Sequence, residues 1–103
     1  MKRLPIRAIR LMPDYHCFPL WWGAGEAEVG NIDPRDLGLS DDLVAALGAW
    51  AAAYDSTLNQ DDPARSGFAT PAAEQAFRTT GEILRDRLRA ELGAEIEVAL
   101  HPS

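Results

Sequence analysis

Two stretches of this chain each open on a helix-start signal, run on with apolar residues at three- and four-residue steps, and meet across a break that no helix can cross. In the first, Ser40 reads as an N-cap, and Asp41 and Asp42 follow in the first turn, where the helix dipole favours negative charge. Leu43, Leu47, Trp50, Tyr54 and Leu58 then fall on one stripe of a helix about five turns long. In the second, Thr70 precedes Pro71, which at a first helical position gives up only a donor that had no partner. Ala73, Phe77, Leu84, Leu88 and Leu92 make its buried stripe, supported by Ala76 and Ile83, with Arg78, Glu82, Arg85, Arg89 and Glu91 on the wet side and Gly93 as C-cap. Between them Asp62, Pro63 and Gly67 force a connecting loop. The helical pair needs an apolar surface to lie on.

That surface is predicted from alternating segments at the two ends of the chain. Over residues 4–12, Ile6, Ala8, Arg10 and Met12 alternate with Arg7, Ile9 and Leu11, a strand with two half-apolar faces. Pro13 and Asp14 supply a turn, and Phe18, Leu20 and Trp22 alternate in a short second strand that Pro19 would confine to a sheet edge. Residues 23–39 hold four glycines and no sustained period, and read as an irregular surface segment. At the end Ile96, Val98 and Leu100 alternate with Glu95, Glu97 and Ala99, a strand whose glutamates are expected to pair with Arg7 or Arg10. The order is β-β-α-α-β. This predicts one α+β domain over residues 1–103, a two- to three-stranded sheet with an antiparallel helical pair on one face. Two helices cover one face only, so the other is expected to lie under the segment between Trp21 and Leu39 or against a second copy in a homodimer.

Charge divides the chain unevenly. Nine of its sixteen acidic residues lie within residues 26–62 against one basic residue, Arg35, leaving a local charge of minus eight in a chain of net charge minus six. Such a surface attracts basic proteins and repels nucleic-acid phosphate, which argues against a nucleic-acid partner. The 103 residues suffice for one core without staples, and three tryptophans with ordinary apolar content exclude a disordered composition. A lone cysteine, Cys17, rules out an internal disulfide and a multi-thiolate metal cluster. Arg7 and Arg10 interrupt the apolar run that a signal peptide needs, and no stretch of ~18 apolar residues is present to span a membrane. The expectation is a cytoplasmic protein with no membrane association.

Residues capable of carrying chemistry are few. Cys17 beside His16 lacks the geometry of a thiolate and its base, because neighbours in a strand point to opposite faces. Asp55, Asn59, Asp61 and Asp62 offer oxygen donors but fit no calcium loop. Asp33 and Asp62, each before a proline, read as acceptors in their own turns. No phosphate loop or catalytic triad is visible, so no catalytic residue, metal or cofactor is assigned. Trp21 and Trp22 differ, since two consecutive indoles in extended chain cannot both point inward. The candidate partner-binding set is Trp21, Trp22, Glu26, Glu28, Asp33, Asp36, Asp61 and Asp62, aromatic anchors with surrounding carboxylates.

The strings LMPDYHCFPLW, NIDPRDLGLSDDL and W-x-x-x-YDSTLNQDDPARSGF, from Leu11 to Phe68, resemble a family of small acidic cytoplasmic bacterial proteins of unassigned activity, some linked to polymorphic toxin and immunity systems. The resemblance implies that Asp33, Pro34, Leu37, Ser40, Trp50, Tyr54, Asp55, Leu58, Asp62, Pro63, Ser66, Gly67 and Phe68 belong to the family pattern. The chain departs from that pattern in its longer WGAGEAEVG stretch and in Gly38, where proline is usual. Charge and resemblance together predict a protein-binding module, an immunity-type inhibitor that docks on a basic toxin. The alternatives are a structural or regulatory homodimer and a small enzyme.

Overall fold

A computed structural model describes residues 7–23, 30–58, 67–94 and 96–101. The order is β1 (Arg7–Leu11), β2 (Leu20–Trp22), β3 (Asn31–Ile32), a 3-10 turn (Pro34–Leu37), α1 (Asp41–Asp55), α2 (Pro71–Leu92) and β4 (Ile96–Leu100). The α+β architecture is the one the sequence predicts, with one more strand in the sheet. The strands lie in the order β3-β2-β1-β4, β2 antiparallel to β1 and β3, and β4 parallel to β1. Parallel pairing needs a long crossover, and the two helices supply it.

Both helix-start signals hold. Ser40 Oγ accepts the Leu43 N–H at 3.2 Å and Thr70 Oγ1 accepts that of Ala73 at 3.1 Å, each satisfying a donor that the first turn leaves free. The first helix stops at Asp55, short of Leu58, where Ser56 and Thr57 turn their hydroxyls back onto the carbonyls of Ala53 and Tyr54. The second runs to Leu92 with Gly93 as its cap.

One sheet face and the helical pair enclose the core. Ile9, Leu11, Leu20, Ile32 and Val98 from the strands meet Leu43, Leu47 and Trp50 of α1 and Leu84 and Leu88 of α2. The seam between the helices is aromatic: the Trp50 and Phe77 rings stack at 4.4 Å and 7°, and Trp50 Nε1 donates to the Phe77 carbonyl at 3.0 Å. One turn on, Gly81 is buried against that indole, and a methyl there would stand 2.9 Å from Trp50 Cζ2 and 3.2 Å from Leu100 Cδ1.

Several expectations are corrected. Ala73, Ala76 and Ile83 are exposed, Ile83 at 55%, because the contact stripe passes through Gly81, a residue that apolar periodicity overlooks. The second strand is internal, since it begins after Pro19 and β3 forms the edge beyond it. The segment read as wholly irregular contains β3 and the 3-10 turn, both too short to show a period. Glu97 lies opposite Ala8 and Arg10 opposite Ala99, so the two charges sit diagonally, and no ion pair joins Glu97 to Arg10 among the described residues; the Arg7 side chain and Glu95 lie outside them. Among the described residues Arg10 Nε is buried without a hydrogen-bond partner. Residues 4–6, Glu95 and the loop carrying Asp62 and Pro63 lie outside the described residues.

Gly81→Val is expected to destabilise the protein by about 1–3 kcal/mol, since branched carbon atoms at that site collide with a stacked ring that has no room to retreat. Urea unfolding followed by tryptophan fluorescence measures it; an unchanged midpoint would show that the seam is plastic.

Candidate functional site

The surface of interest is built where the 3-10 turn, the start of α1 and the Tyr15–Pro19 turn come together. Asp33 caps the 3-10 turn, its Oδ1 accepting the Arg35 N–H at 3.0 Å, and its carboxylate is clasped by the Arg35 guanidinium with Nη2 2.7 Å from Oδ2. That hydrogen bond holds the Asp33 carboxyl below its usual range. Gly38 leaves the turn at φ 69°, a left-handed geometry that suits glycine. Ser40 then donates its N–H to Glu91 Oε1 at 2.6 Å and its hydroxyl to Oε2 at 2.7 Å, tying the start of α1 to the end of α2. The hydroxyl bond and then the backbone bond depress the Glu91 carboxyl. Asp36, Asp41 and Asp42 are exposed and make no salt bridge among the described residues.

Beside this acidic edge the Tyr15–Pro19 turn leans over α1. His16 takes a left-handed conformation, φ 60°, and its N–H donates to Asp55 Oδ1 at 2.9 Å. Tyr15 stacks on Tyr54 at 4.7 Å. Burial, first, and the neighbouring Tyr15 raise the Tyr54 hydroxyl above its usual range. Phe18 is 43% exposed, yet its backbone is pinned at both ends: its N–H donates to Asn31 Oδ1 at 2.8 Å and its carbonyl accepts from Asn31 Nδ2. Phe18, Asp33 and Arg35 face Gly48, Ala52 and Asp55 of α1 across a groove of about 290 Å³. A second hollow, about 170 Å³, is lined by Trp50, Tyr54, Phe68 and Phe77 with His101 and the Glu74–Arg78 pair.

The predicted contact residues are separated. Register places Trp22 on the helix-facing side with Ile9, where it packs on the core, and Trp21 on the opposite side with Arg10, its indole donating to the Met12 carbonyl at 3.0 Å. Both are half-buried, and of the four described members only Asp33 lines the groove. Glu26, Glu28, Asp61 and Asp62 lie outside the described residues, as does Asn59. Phe18, Gly48 and Asp55 were missed as a group because they come from separate segments; a glycine inside α1 and off its apolar stripe was the readable signal. Among the described residues no three His, Cys, Asp or Glu side chains converge to hold a metal. The groove thus combines an exposed aromatic on a pinned backbone, a wall of small residues, the Asp33–Arg35 ion pair and the Asp55 carboxylate, which has no salt bridge among the described residues.

The family model described as Serratia CdiI immunity protein-like matches residues 7–103 of the chain. No curated protein matches it significantly.

The Ser40–Glu91 clasp makes stability depend on pH. The Glu91 carboxyl is depressed in the folded state, so its contribution is full above the ordinary glutamate range and is lost as pH falls through the depressed value. Glu91→Gln is expected to unfold at a lower temperature than the parent at neutral pH, with the gap closing on acidification; a gap constant with pH would refute the linkage.

Proposed function

The chain belongs to the Serratia CdiI immunity protein-like family, and on that premise we propose that it binds a cognate CDI toxin domain and neutralises it by covering the toxin's working surface. The observation that carries the reading is the family match over nearly the whole chain. Electrostatics supplies the manner of binding. Within residues 26–62 the local charge is minus eight, and Asp36, Asp41 and Asp42 stand exposed with no salt bridge among the described residues. A toxin that works on a polyanion carries a basic cleft, and an anionic partner is steered into it at long range.

Inhibition of this kind requires no reaction by the inhibitor. It needs a rigid surface that arrives quickly and excludes substrate. Helix caps at Ser40 and Thr70 and the Ser40–Glu91 clasp provide rigidity at the acidic end. Of the wider contact set, Asp33 is already bound to Arg35, while Asp36 is exposed and forms no salt bridge among the described residues. The proposed setting is the cytoplasm, where the toxin would act and the lone cysteine, Cys17, stays reduced. No helix among the described residues is long and apolar enough to cross a membrane.

The test pairs the chain with its cognate CDI toxin domain, measuring growth protection on co-expression and affinity at low and high salt. The double variant Asp36→Lys, Asp42→Lys is expected to lose about tenfold or more in affinity, equivalent to about 1.4 kcal/mol, mostly through slower association, and to show a weaker salt dependence. A complex whose association ignores both salt and these reversals would overturn the electrostatic mechanism. Failure of the parent chain to bind or protect would overturn the function itself.

A further inference from the structure

We infer that the groove between Phe18 and α1 is where this chain recognises its partner, and that its occupant is a narrow basic segment of the toxin domain, an arginine- or lysine-bearing loop or strand. The inference rests on the immunity reading and locates its specificity. Three independent observations converge on the groove.

The first is Gly48. It lies in the interior of α1, it is exposed, and nothing stands within 4 Å of where a Cβ would be. Glycine weakens a helix relative to alanine, and here no packing inside the protein requires it. Gly81 offers the contrast, since its missing Cβ leaves room for Trp50 and Leu100. What Gly48 leaves room for must come from outside, and close approach of another backbone is what a bare helix surface permits.

The second is Phe18, an exposed ring on a backbone held at both ends by the Asn31 amide. A large apolar side chain with few rotatable bonds, carried on a backbone already pinned, loses comparatively little freedom on association, the property that makes aromatic residues anchors at interfaces. The third is charge. Arg35, the basic residue of the groove, is bound to Asp33. Asp55 is half-buried, oriented by the His16 N–H on Oδ1, and forms no ion pair among the described residues. Asp36, Asp41 and Asp42, on the adjoining 3-10 turn and first turn of α1, add negative charge. A basic segment complements this arrangement; an acidic or purely apolar one would desolvate the Asp55 charge further without pairing it.

Three variants test it against the toxin domain by calorimetry, with unfolding temperature measured alongside. Gly48→Gln fills the groove with a better helix former, so it is expected to raise the unfolding temperature by roughly 2–5 °C while weakening binding about 30-fold or more. A residue of merely structural importance does not move stability and binding in opposite directions. Asp55→Asn keeps the oxygen that accepts the His16 N–H and removes the charge, and is expected to cost about tenfold in affinity and to flatten its salt dependence. Phe18→Ser is expected to speed dissociation with little effect on folding. If all three bind like a parent chain that itself binds and protects, the groove is not the recognition site and the immunity reading stands. If the parent does not bind, both fall. Sedimentation of the chain alone completes the test: a dimer dissociated by Gly48→Gln would assign the groove to a second copy and overturn the inference.

Discussion

The position of one indole sets most of this structure. Trp50 lies flat on Phe77, donates its N–H to the carbonyl of the same residue, and is 4% exposed. Those contacts fix both the rotation of α1 and its height against α2. A stacked ring with a directional hydrogen bond specifies geometry as well as burying area, which aliphatic contacts do less well. Gly81 permits the approach, and Leu100 of β4 reaches the same place, so helix pair and sheet are aligned at one point. Once α1 is fixed there, its opposite surface, with Gly48 and Asp55, must face the Tyr15–Pro19 turn. The groove follows from the core.

The acidic residues divide into two physical populations. Asp33 and Glu91 do internal work, one capping the 3-10 turn and holding Arg35, the other bridging Ser40 across the helix ends. Their depressed carboxyls register those bonds. Asp41 and Asp42 support the positive end of the α1 dipole while their charges remain open to solvent. Asp36, which adds to the field holding the Arg35 charge, and Asp55 form no salt bridge among the described residues. Net charge alone therefore overstates the surface available to a partner, and the unpaired fraction is the relevant quantity.

What could be read from the sequence follows from how local each signal is. Caps at Ser40 and Thr70, the stop at Gly93 and the turn role of Asp33 depend on neighbours a few residues away, and all appear in the structure. Alternation in β4 showed which side is buried, while β1 read as half-apolar on both faces; neither showed that the two pair in parallel or with which offset, since that is decided by crossover and core packing. Apolar periodicity misplaced Ile83 because it has no way to score a glycine as a contact residue. The indole pair shows the same limit: alternation requires Trp21 and Trp22 to part, yet only the neighbouring strands determine that Trp22 is the one facing the core. The groove combines residues of the Tyr15–Pro19 turn, the 3-10 turn and α1, held by bonds such as that of His16 to Asp55, 39 positions apart, and no local pattern connects them.

The groove is also where the chain tolerates unfavourable local choices. His16 occupies a left-handed backbone position that costs a non-glycine residue roughly 1 kcal/mol or more, and Gly48 in a helix interior costs about as much again. For a domain whose total stability is on the order of 5–15 kcal/mol these are not trivial sums. Asn31 spends its whole side-chain amide on fixing Phe18 and the adjacent Leu20 carbonyl, leaving the ring in water. Each feature alone has an ordinary explanation in packing or turn geometry. Their meeting at one surface, beside a half-buried carboxylate that has no salt bridge among the described residues, does not, because folding would be served by a smaller side chain at Phe18, a glycine at His16 and an alanine at Gly48. Local choices that disfavour the fold and share one location mark a surface shaped by something other than the fold. On the proposed reading, long-range charge would bring a basic partner to the carboxylates of the 3-10 turn and α1, and the groove would decide which partner stays.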